Sequence, residues 1–310
     1  MSQRAGAALC VIAPHDVASF PYEAPAVRAL ADFAGVRRSK IHVRALPFVA
    51  NPIGGDVPAC VVACVREGDD GVGMLDLDGA HAALSRWGDV LVVPVSVREE
   101  GGPALIVTDV DSTLIAQEVI EELAEWAGTR QKVAAVTARA MNGEIDFAQS
   151  LRERVATLAG VPETVFRHVT RSLTVTPGAK QLIKSVHSVS GGAFGVVSGG
   201  FEEVVGPLAT RLSIDFYCAN RLEVRDGHLT GHVLGEIVTS HVKVRKLTEW
   251  AAQLGVSPSR CVAIGDGAND IPMMQAAGWG VAFCAKSAVR DAIPNSLAVR
   301  RLDALVAALF

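Results

Sequence analysis

Residues 104–115 read Ala-Leu-Ile-Val-Thr-Asp-Val-Asp-Ser-Thr-Leu-Ile, an apolar run that ends in two carboxylates and a hydroxyl. The aliphatic residues 105–107 predict a buried strand, because continuous apolar runs suit a parallel sheet that is covered on both faces. Asp109 then lies at the carboxyl end of that strand, where open α/β sheets place their ligands. Burying Asp109 and Asp111 together is costly unless a cation compensates them, and oxygen ligands suit magnesium. The segment therefore predicts a metal-assisted site at a strand end.

Strand-like and helix-like patterns alternate along the chain after this segment. The helix patterns have apolar residues three or four positions apart, and the strand patterns are short aliphatic runs. Helices are predicted at 115–127, 146–160, 162–173, 180–187, 202–212 and 243–254. Strands are predicted at 193–197 and 260–264, with a hairpin at 222–230. The alternation predicts an α/β fold: a doubly wound, Rossmann-like parallel sheet with a small helical cap inserted after its first strand, at about 118–175.

Individual residues in these elements predict three local features. Asp146 is expected to cap the helix that follows it, because its side chain can accept a free amide of the first turn. Val119, Ile120, Leu123 and Trp126 have the spacing of apolar positions in a helix, and Gly128 is expected to end it. Asp226-Gly227 is a typical two-residue hairpin turn.

The first hundred residues show a simpler pattern. Apolar runs at 59–65 and 90–95 flank a helix-like stretch at 79–87, which predicts a small α/β unit. A Gly-Gly-Pro sequence ending at Pro103 interrupts both helix and strand, and so predicts a linker. We therefore expect an N-terminal α/β domain at residues 1–100 and a second domain at 101–310.

The composition limits the classes of partner. The 310-residue chain is long enough for two domains, and no apolar stretch reaches the roughly 18 residues of a membrane span. The net charge is −4, and basic and acidic residues are interspersed, so the sequence shows no basic stretch of the kind that binds nucleic acid. The six cysteines lack a CxxC pair, which is typical of reduced thiols in a cytoplasmic protein. We expect a cytoplasmic protein that acts on a small molecule, without membrane or nucleic-acid partners.

Polar groups suited to one phosphate and one cation occur at four places, each at a predicted strand end or helix start. Taken singly, each has an ordinary structural explanation, since serine often caps a helix and lysine is usually exposed. Their common position at the strand ends favours a single site. The groups are Asp109/Asp111/Thr113, Ser198/Gly199, Lys243 and Asp266/Asn269/Asp270. A further Asp-Leu-Asp sequence at 76–78 lacks a preceding hydrophobic strand, and we interpret it as a turn.

These groups, in this order, resemble the four motifs of the haloacid dehalogenase superfamily of aspartate-nucleophile phosphatases. The matching segments are Asp-Val-Asp-Ser-Thr at 109–113, Ser-Gly-Gly at 198–200, Lys243 and Gly-Asp-Gly-Ala-Asn-Asp at 265–270. Within that superfamily, residues 104 to about 285 resemble the phosphoserine phosphatase family, which is also matched by Glu118 and by Ser-Leu-Arg-Glu-Arg at 150–154.

The resemblance implies a two-step phosphoryl transfer assisted by Mg²⁺. It implies that Asp109 is the nucleophile and becomes an aspartyl phosphate, while Asp111 is first the general acid and then the base. It also implies that Mg²⁺ is held by Asp109, by the backbone carbonyl of Asp111, and by Asp266 and Asp270.

The remaining motif residues are expected to hold the substrate. By the resemblance, Ser198, the Gly199 amide and Lys243 hold the transferring oxygens, Thr113 supports them, and Asn269 orients the substrate.

Substrate choice is expected to come from the cap. The resemblance places Glu118 against the substrate's ammonium group and Arg154 against its carboxylate, which the planar guanidinium can bind through two hydrogen bonds. It also implies that Met141 and Phe147 form an apolar wall.

Together these expectations describe a Mg²⁺-dependent phosphatase that hydrolyses O-phospho-L-serine in the last step of L-serine biosynthesis. In some relatives the N-terminal region is an ACT-like regulatory domain, although no motif in residues 1–100 establishes one. The assembly is left open, with a homodimer as one alternative. The rival functions are phosphoryl transfer to an acceptor alcohol such as homoserine, hydrolysis of another small phosphomonoester, and a catalytically silent role as a regulatory or amino-acid-binding protein.

Overall fold

The computed structural model describes residues 7–14, 21, 24–49, 57–67 and 79–310. The predicted turn at 76–78 lies outside these residues. The first part of the chain forms a four-stranded antiparallel sheet in the order β2-β3-β1-β4, and its elements follow one another as β-α-β-β-α-β. The elements are β1 (Ala8–Pro14), α1 (Pro25–Phe33), β2 (His42–Leu46), β3 (Cys60–Arg66), α2 (Ala80–Leu84) and β4 (Asp89–Val93).

A helical cap follows the first strand of the second sheet, as predicted. Four of the helices between β5 (Leu105–Thr108) and β6 (Ala193–Phe201) form this cap: α3 (Val119–Trp126), α4 (Arg130–Met141), α5 (Phe147–Ala156) and α6 (Val165–Ser172). The Asp146 carboxylate caps α5, because its Oδ1 accepts a hydrogen bond from the Gln149 amide at 2.7 Å. Helix α4 was not predicted; Val133 is its one deeply buried hydrophobic side chain among those described, so it has almost no apolar stripe.

Trp126 has the apolar spacing of α3 but does not lie in the core. The residue is 58% exposed, and its ring stacks on His168 with centroids 4.8 Å apart. The buried side of α3 is formed by Val119, Ile120, Leu123 and Ala124.

The second sheet contains β5, β6 and five further strands: β7 (Phe216–Arg225), β8 (His228–Leu234), β9 (Cys261–Gly265), β10 (Trp279–Phe283) and β11 (Ser296–Leu297). Its strand order is β11-β10-β9-β5-β6-β7-β8. Neighbouring strands are parallel except for β7 and β8, which form the predicted hairpin. The strand β5 lies between β9 and β6, so its carboxyl end is flanked by two other strand ends.

Helices cover both faces of this sheet, which confirms the doubly wound α/β fold. The helices are α7 (Ala179–Ser185), α8 (Glu202–Leu212), α9 (Ser240–Gln253), α10 (Ile271–Ala276), α11 (Ser287–Ala292) and α12 (Asp303–Leu309). Leu105 and Val107 belong to the core under α9 and α10, whereas Ile106 belongs to the core on the opposite face. Both faces of β5 are therefore buried, as its continuous apolar sequence predicts.

The first sheet is also covered on both faces. Leu9 and Val11 share a core with α1 and α2, and Cys10 and Ile12 share a core with Leu305 of α12. This explains why β1 is apolar at every position. The C-terminal helix α12 thus packs the two sheets together, although the boundary predicted near residue 100 stays a prediction.

The expectation that all six cysteines are reduced is wrong for one pair. Cys10 and Cys64 form a disulfide, while Cys60, Cys218, Cys261 and Cys284 are free. The pairing follows from the antiparallel register of β1 and β3, which places Cys10 directly opposite Cys64. Within the described residues, no helix is both long enough and apolar enough to cross a bilayer.

Candidate active site

The turn Val110–Leu114 after β5 carries Asp111, and Asp109 caps the start of this turn. The Asp109 amide donates to the Ile264 carbonyl of β9 at 2.9 Å, which continues the sheet by one residue. The Asp109 Oδ1 atom accepts a hydrogen bond from the Val110 amide at 2.7 Å. These two contacts fix Asp109 at the sheet edge, where the residue is only 7% exposed.

Lys243 lies at the centre of the site. It is 0% exposed, and its Nζ is 3.0 Å from Asp109 Oδ1 and 2.5 Å from Asp270 Oδ1. Burial alone would lower the pKa of Lys243, but the charges of Asp109 and Asp270 outweigh it and raise the pKa above its usual range. The ammonium group is therefore charged, and it links the end of β5 to the loop after β9.

That loop supplies the other acids. Asp266 follows β9 directly, and its Oδ1 accepts a hydrogen bond from Thr113 Oγ1 at 2.9 Å. Asp270 turns back so that its Oδ2 accepts the Gly267 amide at 3.0 Å. A Cβ at Gly265 would lie 2.5 Å from the Asp270 side chain, so only glycine lets this carboxylate approach the strand end.

The carboxylates of Asp109, Asp266 and Asp270 form a group that can hold a metal ion, since one oxygen of each lies within 4.8 Å of the others. Burial raises the pKa of Asp266 to about 6, and the charge of Asp270 adds to this. Burial, followed by the Asp270 charge, also raises the pKa of Asp109 well above its usual value, although Lys243 opposes the shift. A divalent cation would relieve these costs and favour the ionised acids, so the donor set fits one.

The end of β6 forms the opposite wall. The strand continues four residues beyond its predicted end, to Phe201, and its pairing with β7 is irregular between Val197 and Phe201. The buried Ser198 Oγ accepts the Gly200 amide at 2.8 Å. A Cβ at Gly199 would lie 3.0 Å from the Phe147 ring, so a larger residue would crowd the cap.

Asn220 is a site residue that the sequence analysis missed. Its Nδ2 donates to the Gly199 carbonyl at 2.8 Å, and its Oδ1 accepts the Val238 amide at 2.8 Å. It is fully buried, and it fixes the orientation of the peptide group between Gly199 and Gly200. An asparagine in the middle of an otherwise ordinary strand was the signal that could have identified it.

The cap closes the site over a cavity of about 190 Å³. Its wall on the cap side contains Glu118, Phe147 and Arg154, together with Ile120 and Leu151. The Glu118 Oε1 atom accepts a hydrogen bond from Ser112 Oγ at 2.7 Å. Burial raises the pKa of Glu118 and lowers that of Arg154, and the opposite charges of the two side chains partly offset both shifts.

The structure brings the predicted site residues together, except that it does not describe the side chain of Met141. Those that line the cavity are Asp109, Asp111, Glu118, Phe147, Arg154, Gly199, Asp266 and Asn269. Those that lie behind them in hydrogen-bonded contact are Thr113, Ser198, Lys243 and Asp270. Met141 is the last residue of α4, and its side chain lies outside what the structure describes. The roles assigned to these residues stay predictions.

Comparisons with known proteins agree with this geometry. A family model described as haloacid dehalogenase-like hydrolase matches residues 106–275. A phosphoserine phosphatase of Streptococcus thermophilus is 54% identical over 193 residues, which make up 62% of this chain and 89% of that protein.

Solved structures give the same result. A substrate-bound phosphoserine phosphatase complex matches with a TM-score of 0.63 and 38% identity, over 67% of this chain and 99% of that one. A probable phosphoserine phosphatase from Vibrio cholerae, in an unliganded form, matches with a TM-score of 0.72 and 32% identity, over 97% of this chain and 86% of that one. The second match includes the N-terminal sheet.

Proposed function

The chain belongs to the haloacid dehalogenase-like hydrolases, and we propose that it hydrolyses O-phospho-L-serine to L-serine and phosphate, the last step of L-serine biosynthesis. The observation that carries this proposal is the 3.0 Å contact between the Asp109 carboxylate and the buried Lys243 ammonium group. It lies beside a cavity whose cap wall offers a carboxylate, Glu118, and a guanidinium, Arg154. These are the groups needed to bind an amino acid and to accept its phosphoryl group.

The first step transfers the phosphoryl group to Asp109. An Asp109 carboxylate oxygen attacks phosphorus, and a bond between the two forms while the bond from phosphorus to the serine oxygen breaks. The electron pair of the broken bond goes to the serine oxygen, which takes a proton from Asp111. L-serine leaves, and an aspartyl phosphate remains.

The second step returns the enzyme to its starting state. Asp111, now ionised, accepts a proton from a water molecule as the water oxygen attacks phosphorus. The bond between phosphorus and Asp109 breaks, and inorganic phosphate leaves. Burial, followed by the charges of Glu118 and Asp109, raises the pKa of Asp111 well above its usual value, which suits an acid that must hold a proton until the leaving group needs it.

Charge stabilisation during the transfer comes from three groups. We assign the Ser198 hydroxyl, the Gly199 amide and the Lys243 ammonium group to the transferring oxygens. Thr113 donates to Asp266, so we propose that it supports the site through that carboxylate. Asn269 lines the cavity, where it can orient the bound substrate.

We propose that the metal ion is Mg²⁺, held by Asp109, Asp266 and Asp270 with the backbone carbonyl of Asp111. When bound, it supplies positive charge that lets a phosphate dianion approach a carboxylate. The carboxylates themselves fit this ion, because hard oxygen ligands are those that Mg²⁺ prefers.

Specificity for an amino-acid phosphate rests on the cap. Glu118 is proposed to bind the ammonium group and Arg154 the carboxylate, so that a phosphomonoester lacking either charge loses one ion pair. Phe147 touches the Gly199 region from the cap and closes an apolar wall, which Met141 is proposed to complete.

The remaining expectations concern the whole protein. We propose that residues 1–100 form an ACT-like regulatory domain, which the β-α-β-β-α-β order of the described elements supports. We also propose a separate catalytic domain at 101–310, a cytoplasmic location, and homodimer formation as the alternative to a monomer.

The proposed function is tested by measuring phosphate release from O-phosphoserine in the presence of Mg²⁺, with and without homoserine as an acceptor. Release without an acceptor supports hydrolysis. Release that requires the acceptor would instead identify a phosphotransferase. An enzyme that leaves phosphoserine intact but hydrolyses other phosphomonoesters would contradict the proposed substrate.

A further inference from the structure

A segment near the C-terminus, residues 295–301, connects the N-terminal sheet to the second sheet; we term it the strap. It contains β11, the edge strand beside β10. Asp89, the first residue of the N-terminal edge strand β4, accepts the strap amides of Ala298 at 2.7 Å and Val299 at 3.3 Å through one carboxylate oxygen. An amide of β4 also donates to the Asn295 side chain at 2.8 Å. One strand of the N-terminal sheet thus fixes the strap at three points.

The strap places Arg300 against the nucleophile turn. Arg300 Nη1 donates to the Ser112 carbonyl at 3.1 Å. The next residue is also fixed: Arg301 is buried, forms two hydrogen bonds of 2.7 and 2.8 Å with Asp303, and donates to the Pro47 carbonyl at 2.7 Å. The residues on both sides of Arg300 are therefore held, by Asp89 of β4 on one side and by Pro47, the residue after β2, on the other.

The residue that Arg300 contacts has an uncommon backbone. Ser112 has φ +55°, the left-handed conformation that favours glycine, so the turn must be held in place by its neighbours. Its amide donates to the Gln117 carbonyl at 3.2 Å, its carbonyl accepts from Arg300, and its hydroxyl donates to Glu118 at 2.7 Å. The direction of the hydroxyl, and with it the position of the Glu118 carboxylate, depends on both backbone contacts.

We infer that Arg300 is a positioning residue for recognition of the substrate's ammonium group, and that the N-terminal sheet holds it in place through Asp89. The inference rests on the proposed function, because Glu118 is the group that we propose binds this ammonium. Arg300 acts through Ser112 and does not touch the reacting atoms. It follows that the N-terminal sheet contributes to substrate selectivity even without a ligand of its own.

The test compares two substrates that differ only in the amino group: O-phosphoserine and 3-phosphonooxypropionate, both assayed with the full-length protein and Mg²⁺. In Arg300→Met we expect KM for O-phosphoserine to rise about 10-fold, with kcat changed less than about 3-fold, which is the loss typical of one hydrogen bond to a charged group. KM for 3-phosphonooxypropionate should stay within about 2-fold of its wild-type value, since that substrate does not use Glu118.

Two control variants accompany this test. Arg300→Lys, which keeps a hydrogen-bond donor, should recover part of the loss, and Arg211→Met on the exposed end of α8 should behave as wild type.

Asp89→Ala tests the second half of the inference. It should shift the ratio of the two KM values in the same direction as Arg300→Met, and the double variant should be no worse than Arg300→Met alone, because both act through one contact. Equal losses on both substrates in the Arg300 variants would overturn the inference and leave a structural role. If Arg300→Met does not fold, the ratio of the two KM values in Arg300→Lys and Asp89→Ala tests the inference instead. A wild-type enzyme inactive on O-phosphoserine would instead refute the proposed function.

Discussion

Replacing Lys243 by methionine tests whether one buried ammonium group balances the charges of the site. Lys243 is fully buried and contacts both Asp109 and Asp270. Methionine is unbranched and flexible like lysine, so it can fill the same space while the charge is lost. The variant therefore leaves two buried carboxylates without their nearest cation.

The expected loss of stability is large. Removing one partner of a buried ion pair costs about 3–5 kcal/mol, because the remaining charge stays buried without compensation. Proton uptake can relieve part of this cost, since burial already raises the pKa of Asp109. We therefore expect the free energy of unfolding to fall by about 3 kcal/mol in metal-free buffer at neutral pH, the lower end of that range.

The assay is urea unfolding followed by far-UV circular dichroism in the presence of EDTA. Lys246→Met is the matched control, since Lys246 lies one turn later on α9, pairs with Glu249 at 2.6 Å and is partly exposed. Such a pair contributes at most about 1 kcal/mol, so the control should change little. Adding Asp270→Asn to Lys243→Met should recover part of the loss, because it removes one of the two carboxylates. If Lys243→Met lowered stability no more than Lys246→Met, the charge argument would be refuted.

Three further outcomes follow from the active site and one from Asp89 of the N-terminal sheet. Asp109→Asn should lower kcat by about 10⁴-fold or more with the fold unchanged, and substantial phosphate release by this variant would contradict its role as nucleophile. Arg154→Ala should raise KM for phosphoserine at least about 10-fold, but not KM for a phosphomonoester without a carboxylate; equal effects would remove it from substrate recognition. Chelation by EDTA should abolish phosphate release, and added Mg²⁺ should restore it, whereas activity that persists in EDTA would contradict a metal requirement. Burial raises the pKa of Asp89 in the folded state, so this residue stabilises the fold at pH values below its pKa in the unfolded chain, and the stabilisation is lost as pH rises through the raised pKa. The unfolding free energy of Asp89→Asn relative to wild type should therefore rise with pH. A difference that stays constant with pH would contradict the raised pKa.

The meeting of distant motifs could be predicted from the sequence. Thr113 and Asp266 are 153 positions apart and are hydrogen-bonded. Each follows an aliphatic run short enough to be a strand, and adjacent parallel strands bring their carboxyl ends to one edge of the sheet. Local pattern was thus sufficient here, because the fold class alone determines the proximity.

Contacts that depend on the pairing of segments without motifs could not be predicted. Cys10 and Cys64 meet only because of the register between β1 and β3, which nothing in either strand specifies. Arg300 and Ser112 are 188 positions apart, and their contact depends on how the strap is held by the N-terminal sheet. Trp126 has the spacing of a core residue but is 58% exposed, because spacing alone does not specify which apolar positions a neighbouring element covers.

The charges of the site connect its two proposed requirements, a proton and a metal ion. Five acidic side chains meet there, Asp109, Asp111, Glu118, Asp266 and Asp270, against two basic ones, Lys243 and Arg154. Fully ionised, the site would have a surplus of negative charge in a buried space, and burial accordingly raises the pKa of Asp109, Asp111 and Asp266. A surplus of this kind is relieved by a proton on one acid and a divalent cation between others. The proton is what the serine oxygen needs on leaving, and the cation is what a phosphate dianion needs on entering, so both arise from one physical cause: more buried acids than the protein neutralises with its own bases.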